Sequence, residues 1–237
     1  MDRNSNQYTI FYAAVMVVLV AAALATVAMT LKPRQDKNAE IEKKQNILTS
    51  VNVSTTVQNA EEIFAERIQN QYVINAKGEV VEGMNAFDID LRQERAKPID
   101  QRVFPVFEFQ AEDGLKYIFE MRGAGLWGPL WGFVSLNEDM STIYGANFDH
   151  QSETPGLGAE ISTPEFENTF SKKEIFNQSG DLVSITVTKV GQEAPEQHSV
   201  DGISGGTITS KGVQYMLMEG FTGYQEFLKQ KKSQGNE

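Results

Sequence analysis

The chain has 237 residues, a formal charge of −11, no cysteine and only two histidines, His150 and His198. Without cysteine it holds no disulfide, iron–sulfur cluster or thiolate zinc site, and two histidines argue against a histidine metal cluster, so no metal ligand is assigned. An acidic chain with no basic stripe argues against nucleic acid as a partner, and the length allows one sizeable domain or two small ones.

In chain order, residues 1–9 form a polar tail, and residues 10–31 read IFYAAVMVVLVAAALATVAMTL without a charge. As a helix this run is about 33 Å long, enough for a hydrocarbon core of about 30 Å. Tyr8 and Tyr12 flank one end, Lys32 and Arg34 the other. Ala23-Leu24-Ala25 imitates a signal-peptide cleavage site, but signal h-regions run only about 7–15 residues, so a retained transmembrane helix is expected. Residues 32–52, opened by Pro33, form a juxtamembrane connector or helix with Ile41, Leu48 and Val51 on one face. A second helix is expected where Asn59 can cap, Glu62 follows three residues on, and Ile63, Phe64 and Ile68 supply an apolar face.

Strand patterns follow at 72–74, 80–81, 103–109, 117–121, 133–136, 143–148 and 182–190. Ala111-Glu112-Asp113-Gly114 reads as a hairpin turn. From Val213 the apolar residues recur at Met216, Leu217, Phe221, Tyr224, Phe227 and Leu228, one face of an amphipathic helix. Residues 53–237 thus read as an α+β domain on a largely antiparallel sheet with flanking helices.

Three stretches carry candidate chemistry. Asp201-Gly202-Ile203-Ser204-Gly205-Gly206-Thr207-Ile208-Thr209-Ser210 is a glycine-rich turn feeding a helix. Such a turn presents unpaired N–H groups to a phosphate, although ordinary capping has the same composition. It also contains G-x-S-x-G, which leaves a serine hydrolase using Ser204 as a remote alternative. No histidine follows Ser204, as an α/β-hydrolase requires. Gly123-Ala124-Gly125-Leu126-Trp127-Gly128 matches G-x-G-x-x-G but leads into a strand instead of a helix, so a dinucleotide site is rejected. The third stretch, residues 150–160, reads on its own as a turn-rich surface loop around Pro155-Gly156.

Asp201-Gly202-Ile203-Ser204-Gly205-Gly206-Thr207 resembles the flavinylation motif of the FMN-binding domain family, D-x-x-(S/T)-G-A-T, with Gly206 in place of alanine. The resemblance implies that Thr207 carries FMN through a phosphodiester, with Asp201, Ser204, Gly205 and Thr209 around it. Gly125, Leu126 and Trp127 resemble the family's G-L-W stretch, with Ala124 where a basic residue is usual. Glu153, Thr154 and Leu157 resemble its E-T-P-G-L-G loop, and both stretches are implied to lie beside the isoalloxazine.

Together with the single anchor, these stretches resemble the C-subunits of the sodium-translocating NADH:quinone oxidoreductases, with the G-subunits of the Rnf complexes as the alternative. The resemblance implies an electron-transfer component without its own NADH site, in a membrane complex that oxidises NADH, reduces quinone and exports Na⁺. The partners implied are the other subunits, membrane lipid and a flavin transferase during maturation. A flavin held only to stabilise the fold is the binding-module alternative. The charge flanks favour a cytoplasmic domain by the positive-inside tendency. The resemblance favours a single-pass protein of the bacterial inner membrane with its domain in the periplasm, where the transferase acts.

Overall fold

The structure is a computed structural model and describes residues 5–189 and 191–234. The chain divides into two compact units, Met1–Lys43 and Lys44–Glu237. Helix α1, Asn6–Thr49, continues through Pro33. Proline removes one N–H from the helical ladder. In the first unit the apolar run stands bare on every side, with Phe11, Val18 and Leu24 all more than half exposed. Its most apolar window has a mean hydropathy of 2.6 and no buried residue. Thr26 and Thr30 donate their hydroxyls to the helix's own carbonyls at Ala22 and Val27. The helix is long and apolar enough to cross a membrane.

The second unit is built on five antiparallel strands, β1 (Ile68–Asn75), β2 (Val103–Ala111), β3 (Gly114–Ala124), β4 (Pro129–Leu136) and β5 (Ile143–His150). Each pairs with its neighbour in the chain, giving the order β1-β2-β3-β4-β5. Side chains alternate between the two faces with the period of two that a pleated strand imposes. Phe104, Val106, Phe119 and Met121 enter one core, whereas Phe107, Phe109, Ile118 and Phe133 join Ile47, Leu48, Val51 and Phe64 in the other. The β2–β3 hairpin closes between Ala111 and Gly114 as expected, with Gly114 at a φ of +120°.

The first core is covered by α5, Thr207–Gln234. All seven apolar residues of its expected stripe are buried, Val213, Met216, Leu217, Phe221, Tyr224, Phe227 and Leu228. The Tyr224 hydroxyl lies 2.9 Å from the Pro105 carbonyl and 3.2 Å from that of Glu120, fastening the helix across β2 and β3. Between β1 and β2 the chain makes an excursion containing the short α3, Leu91–Glu94. Arg95 grips Glu219 of α5 with two hydrogen bonds of 3.0 and 2.7 Å, and Arg102 adds a third at 3.0 Å.

Four expectations change. The strand expected at 80–81 is a single bridge between Val80 and Ile74. Helix α2 spans Ala60–Arg67, but Asn59 makes no cap; its side-chain oxygen accepts from the Thr56 N–H and hydroxyl instead. Ile68 belongs to β1 and not to that helix. The strand expected at 182–190 shrinks to β6, Thr186–Thr188, with Leu182 making a single bridge to Phe176, while Val190 lies outside the described residues. Short helix α4, Pro164–Glu167, precedes β6. Strand β6 pairs in parallel with β7, Ser199–Asp201, which has too few residues to show a period in the sequence.

Candidate functional site

Strand β7 delivers the chain to a turn that ends where α5 begins. Gly202 N–H donates to the Thr188 carbonyl, Gly205 adopts a φ of +76°, and Gly206 N–H donates to Ile203 O at 3.0 Å. Ser210 reaches back to accept the Ile203 N–H at 3.0 Å, which fixes the turn against the first helical residues. Asp201 points toward β6 and accepts from the Thr188 hydroxyl at 3.2 Å. Thr207 is the first residue of α5 and is exposed, and Ser204 and Gly205 beside it are exposed too. Thr209 has the opposite environment. Only 1% of it is exposed, and its hydroxyl donates to Glu153 Oε2 at 2.6 Å.

Residues 125–128 form the β3–β4 turn, closed by the Gly125 N–H on the Gly128 carbonyl at 2.8 Å. No helix opens there; Pro129 pairs with Ala124 as the first residue of β4. The Trp127 N–H donates to Glu153 Oε1 at 2.8 Å. Glu153 itself is only 5% exposed. Its loop follows β5 and is anchored by the Glu153 N–H on His150 Nδ1 at 3.2 Å. Further along, the Thr154 carbonyl accepts from the N–H groups of Leu157 and Ala159. Leu157 packs over Gly205 and Gly206, where a Cβ would meet it at 2.6 and 3.2 Å.

Gly125, Leu126, Trp127, Glu153, Leu157, Gly205, Thr207 and Thr209 therefore lie on three segments that touch one another, and Thr154 and Ser204 lie within them. Asp201 stands at their margin, turned to β6. Those segments leave large apolar side chains in water: Trp127 is 66% exposed, Ile208 58%, Leu126 48% and Leu157 42%. Unpaired apolar surface at one spot marks a binding face. On the other side of Thr207 a cavity of about 170 Å³ is lined by Thr188, Lys189, Ile203, Ser204 and Lys211. It is smaller than the roughly 300–1,000 Å³ that encloses a drug-sized ligand. Sequence reasoning did not single out Lys211, whose ammonium donates to the Val187 carbonyl and to Gln214. Its position one helical turn after Thr207 was the only available signal. The hydrolase arrangement finds no support, since His150 Nδ1 takes the Glu153 N–H and His198 Nδ1 lies 2.6 Å from the Glu174 carbonyl.

Residues 125–221 match the family model for the FMN-binding domain, and this span contains all three segments. The domain is thus of the flavin-mononucleotide-binding class. The C-subunit of the Na(+)-translocating NADH-quinone reductase of Neisseria meningitidis is 32% identical, over 99% of this chain and 97% of that one. Its Haemophilus ducreyi counterpart is 31% identical over 90% of this chain and 88% of its own. The crystal structure of the C-subunit from Parabacteroides distasonis is 46% identical and superposes with a TM-score of 0.78 over 84% of this chain and 96% of that chain. The chain belongs to the C-subunit family of the Na(+)-translocating NADH-quinone reductases.

Proposed function

We propose that this protein carries one FMN joined to Thr207 by a phosphodiester. It passes electrons inside a membrane complex that oxidises NADH, reduces quinone and exports Na⁺, and it has no NADH site of its own. The observation that carries the reading is the contrast between two threonines two residues apart. Thr207 offers an exposed hydroxyl at the first turn of α5, where free N–H groups and the helix dipole favour a phosphate. The Thr209 hydroxyl is buried and already committed to Glu153.

The residues present fit the cofactor. Leu126, Trp127 and Leu157 offer apolar surface to a flat ring, an indole being suited to pack on one. The exposed Thr154 can offer its hydroxyl at the rim. Bound FMN would supply reversible electron uptake and release. The chain's own part is to tether the group and present one face of it to a partner.

Expression of the chain with a flavin transferase tests the assignment. A fluorescent band on a denaturing gel is expected for the natural chain and for Thr209→Ala, and none for Thr207→Ala. A band retained by Thr207→Ala overturns it. For topology we place the N-terminus inside and residues 32–237 in the periplasm of a bacterial inner membrane. Asp36, Glu40 and Glu42 dilute the basic flank, and a long domain is translocated despite flanking charge. Protease added to spheroplasts then degrades the domain; protection until lysis reverses the topology.

A further inference from the structure

The family resemblance sets Glu153 beside the flavin, but both of its oxygens are already in use. Oε1 accepts the Trp127 N–H and Oε2 accepts the Thr209 hydroxyl. Gly125 and Gly158 press against the same group, and a Cβ at either would stand 2.5 Å from one of its oxygens. The carboxylate thus fills a slot between the β3–β4 turn, its own loop and the start of α5. The Trp127 N–H and the Thr209 hydroxyl both donate to the one carboxylate. Among the described residues no lysine or arginine forms a salt bridge with it.

We infer that Glu153 is the positioning residue of the flavin site. It holds the Trp127 turn against α5, withdraws the Thr209 hydroxyl from modification, and sets a fixed negative charge under the ring. This rests on the ring lying against Leu126, Trp127 and Leu157. A hydrogen-bonded anion without a countercharge keeps its field in a poorly solvated setting. Reduction adds electrons to the ring, so that field opposes it, and neutralising Glu153 makes reduction easier.

Glu153→Gln keeps the size of the side chain, loses the charge and replaces one acceptor with a donor. Thr209→Val keeps the charge and removes one of its donors. In the flavin-free full chain the Trp127 amide is expected to exchange with deuterium about tenfold faster in Glu153→Ala, which removes its acceptor, the loss of roughly one hydrogen bond. In Thr209→Val the increase is smaller. In the loaded chain the midpoint potential moves to more positive values in Glu153→Gln and stays near that of the natural chain in Thr209→Val. An unchanged Trp127 amide in both Glu153→Ala and Thr209→Val overturns the clasp, and so does an unchanged potential in Glu153→Gln. If Glu153→Ala does not fold, the Trp127 amide in Thr209→Val decides. Failure of the natural chain to take flavin refutes the proposed function instead, while the amide measurement still tests the clasp.

Discussion

Two buried glutamates, Glu153 and Glu167, both follow β5 in the chain and are used differently. Glu153 spreads its two hydrogen bonds over both oxygens and joins residues distant in the chain. Glu167, at the end of α4, takes both of its bonds on Oε1, from the Phe148 N–H at 2.7 Å and Asn147 Nδ2 at 3.1 Å. Burial pushes its pKa up to about 7, and nearby Asp149 adds to the rise against the hydrogen bonds that lower it. Burial alone therefore does not define what a carboxylate does. The clasp at Glu153 needs an acceptor at each end, whereas Glu167 needs one acceptor to cap the edge of β5 and is worth more when protonated.

The same substitution at the two sites should part them. At pH 8, Glu153→Gln keeps one oxygen for the Trp127 N–H but leaves the buried Thr209 hydroxyl donor without its acceptor, and is expected to cost about 1–3 kcal/mol. Glu167→Gln keeps Oε1 and removes a buried charge, and is expected to be neutral or stabilising; denaturant titration of both reads the difference. Equal losses would erase the comparison. The pH profile sharpens it next. The folded pKa of Glu167 is raised above its usual 4.5 to about 7. The folded state therefore binds the proton more tightly, and the contribution is full below about pH 4.5 and is lost as pH rises through about 7. The loss is on the order of 1–3 kcal/mol, and Glu167→Gln should flatten it in melts between pH 5 and 8.

Smaller effects separate polar fastening from ring surface. Tyr224→Phe removes a hydroxyl shared by two buried carbonyls, at a cost of about 1 kcal/mol by chemical denaturation. Trp127→Ala should change stability by no more than about 0.5 kcal/mol, because the side chain is mostly in water. It should nonetheless keep covalent FMN and shift the visible spectrum or potential. An unchanged spectrum and potential would put the ring elsewhere.

Much of the fold was legible because period and burial coincide. The α5 stripe and the Asp-Gly hairpin are local patterns, and the antiparallel meander follows from strands joined by short turns. The three-residue β6 and β7 carry no period, and the missing Asn59 cap lost to a nearer backbone donor at Thr56. The site was legible as three motifs, and the family resemblance implied that they meet around one ring. The bond that joins two of them was not legible, since Glu153 and Thr209 lie 56 positions apart and neither stretch shows it.

The meander and the final helix also impose an order in time. Strands β1 to β5 pair only with chain neighbours. Strands β2 to β5 can form early, because the loops between them are short, whereas β1 reaches β2 only through the longer excursion at 76–102. Helix α5 comes after all of them, yet Tyr224 must bridge 119 positions to reach Pro105, and Thr209 must find Glu153. During synthesis Thr207 and Thr209 take their places only after the sheet exists, and the apolar side chains of β3 wait uncovered until then. A chain cut short before α5 would leave that core open, so the domain closes only when its last helix arrives.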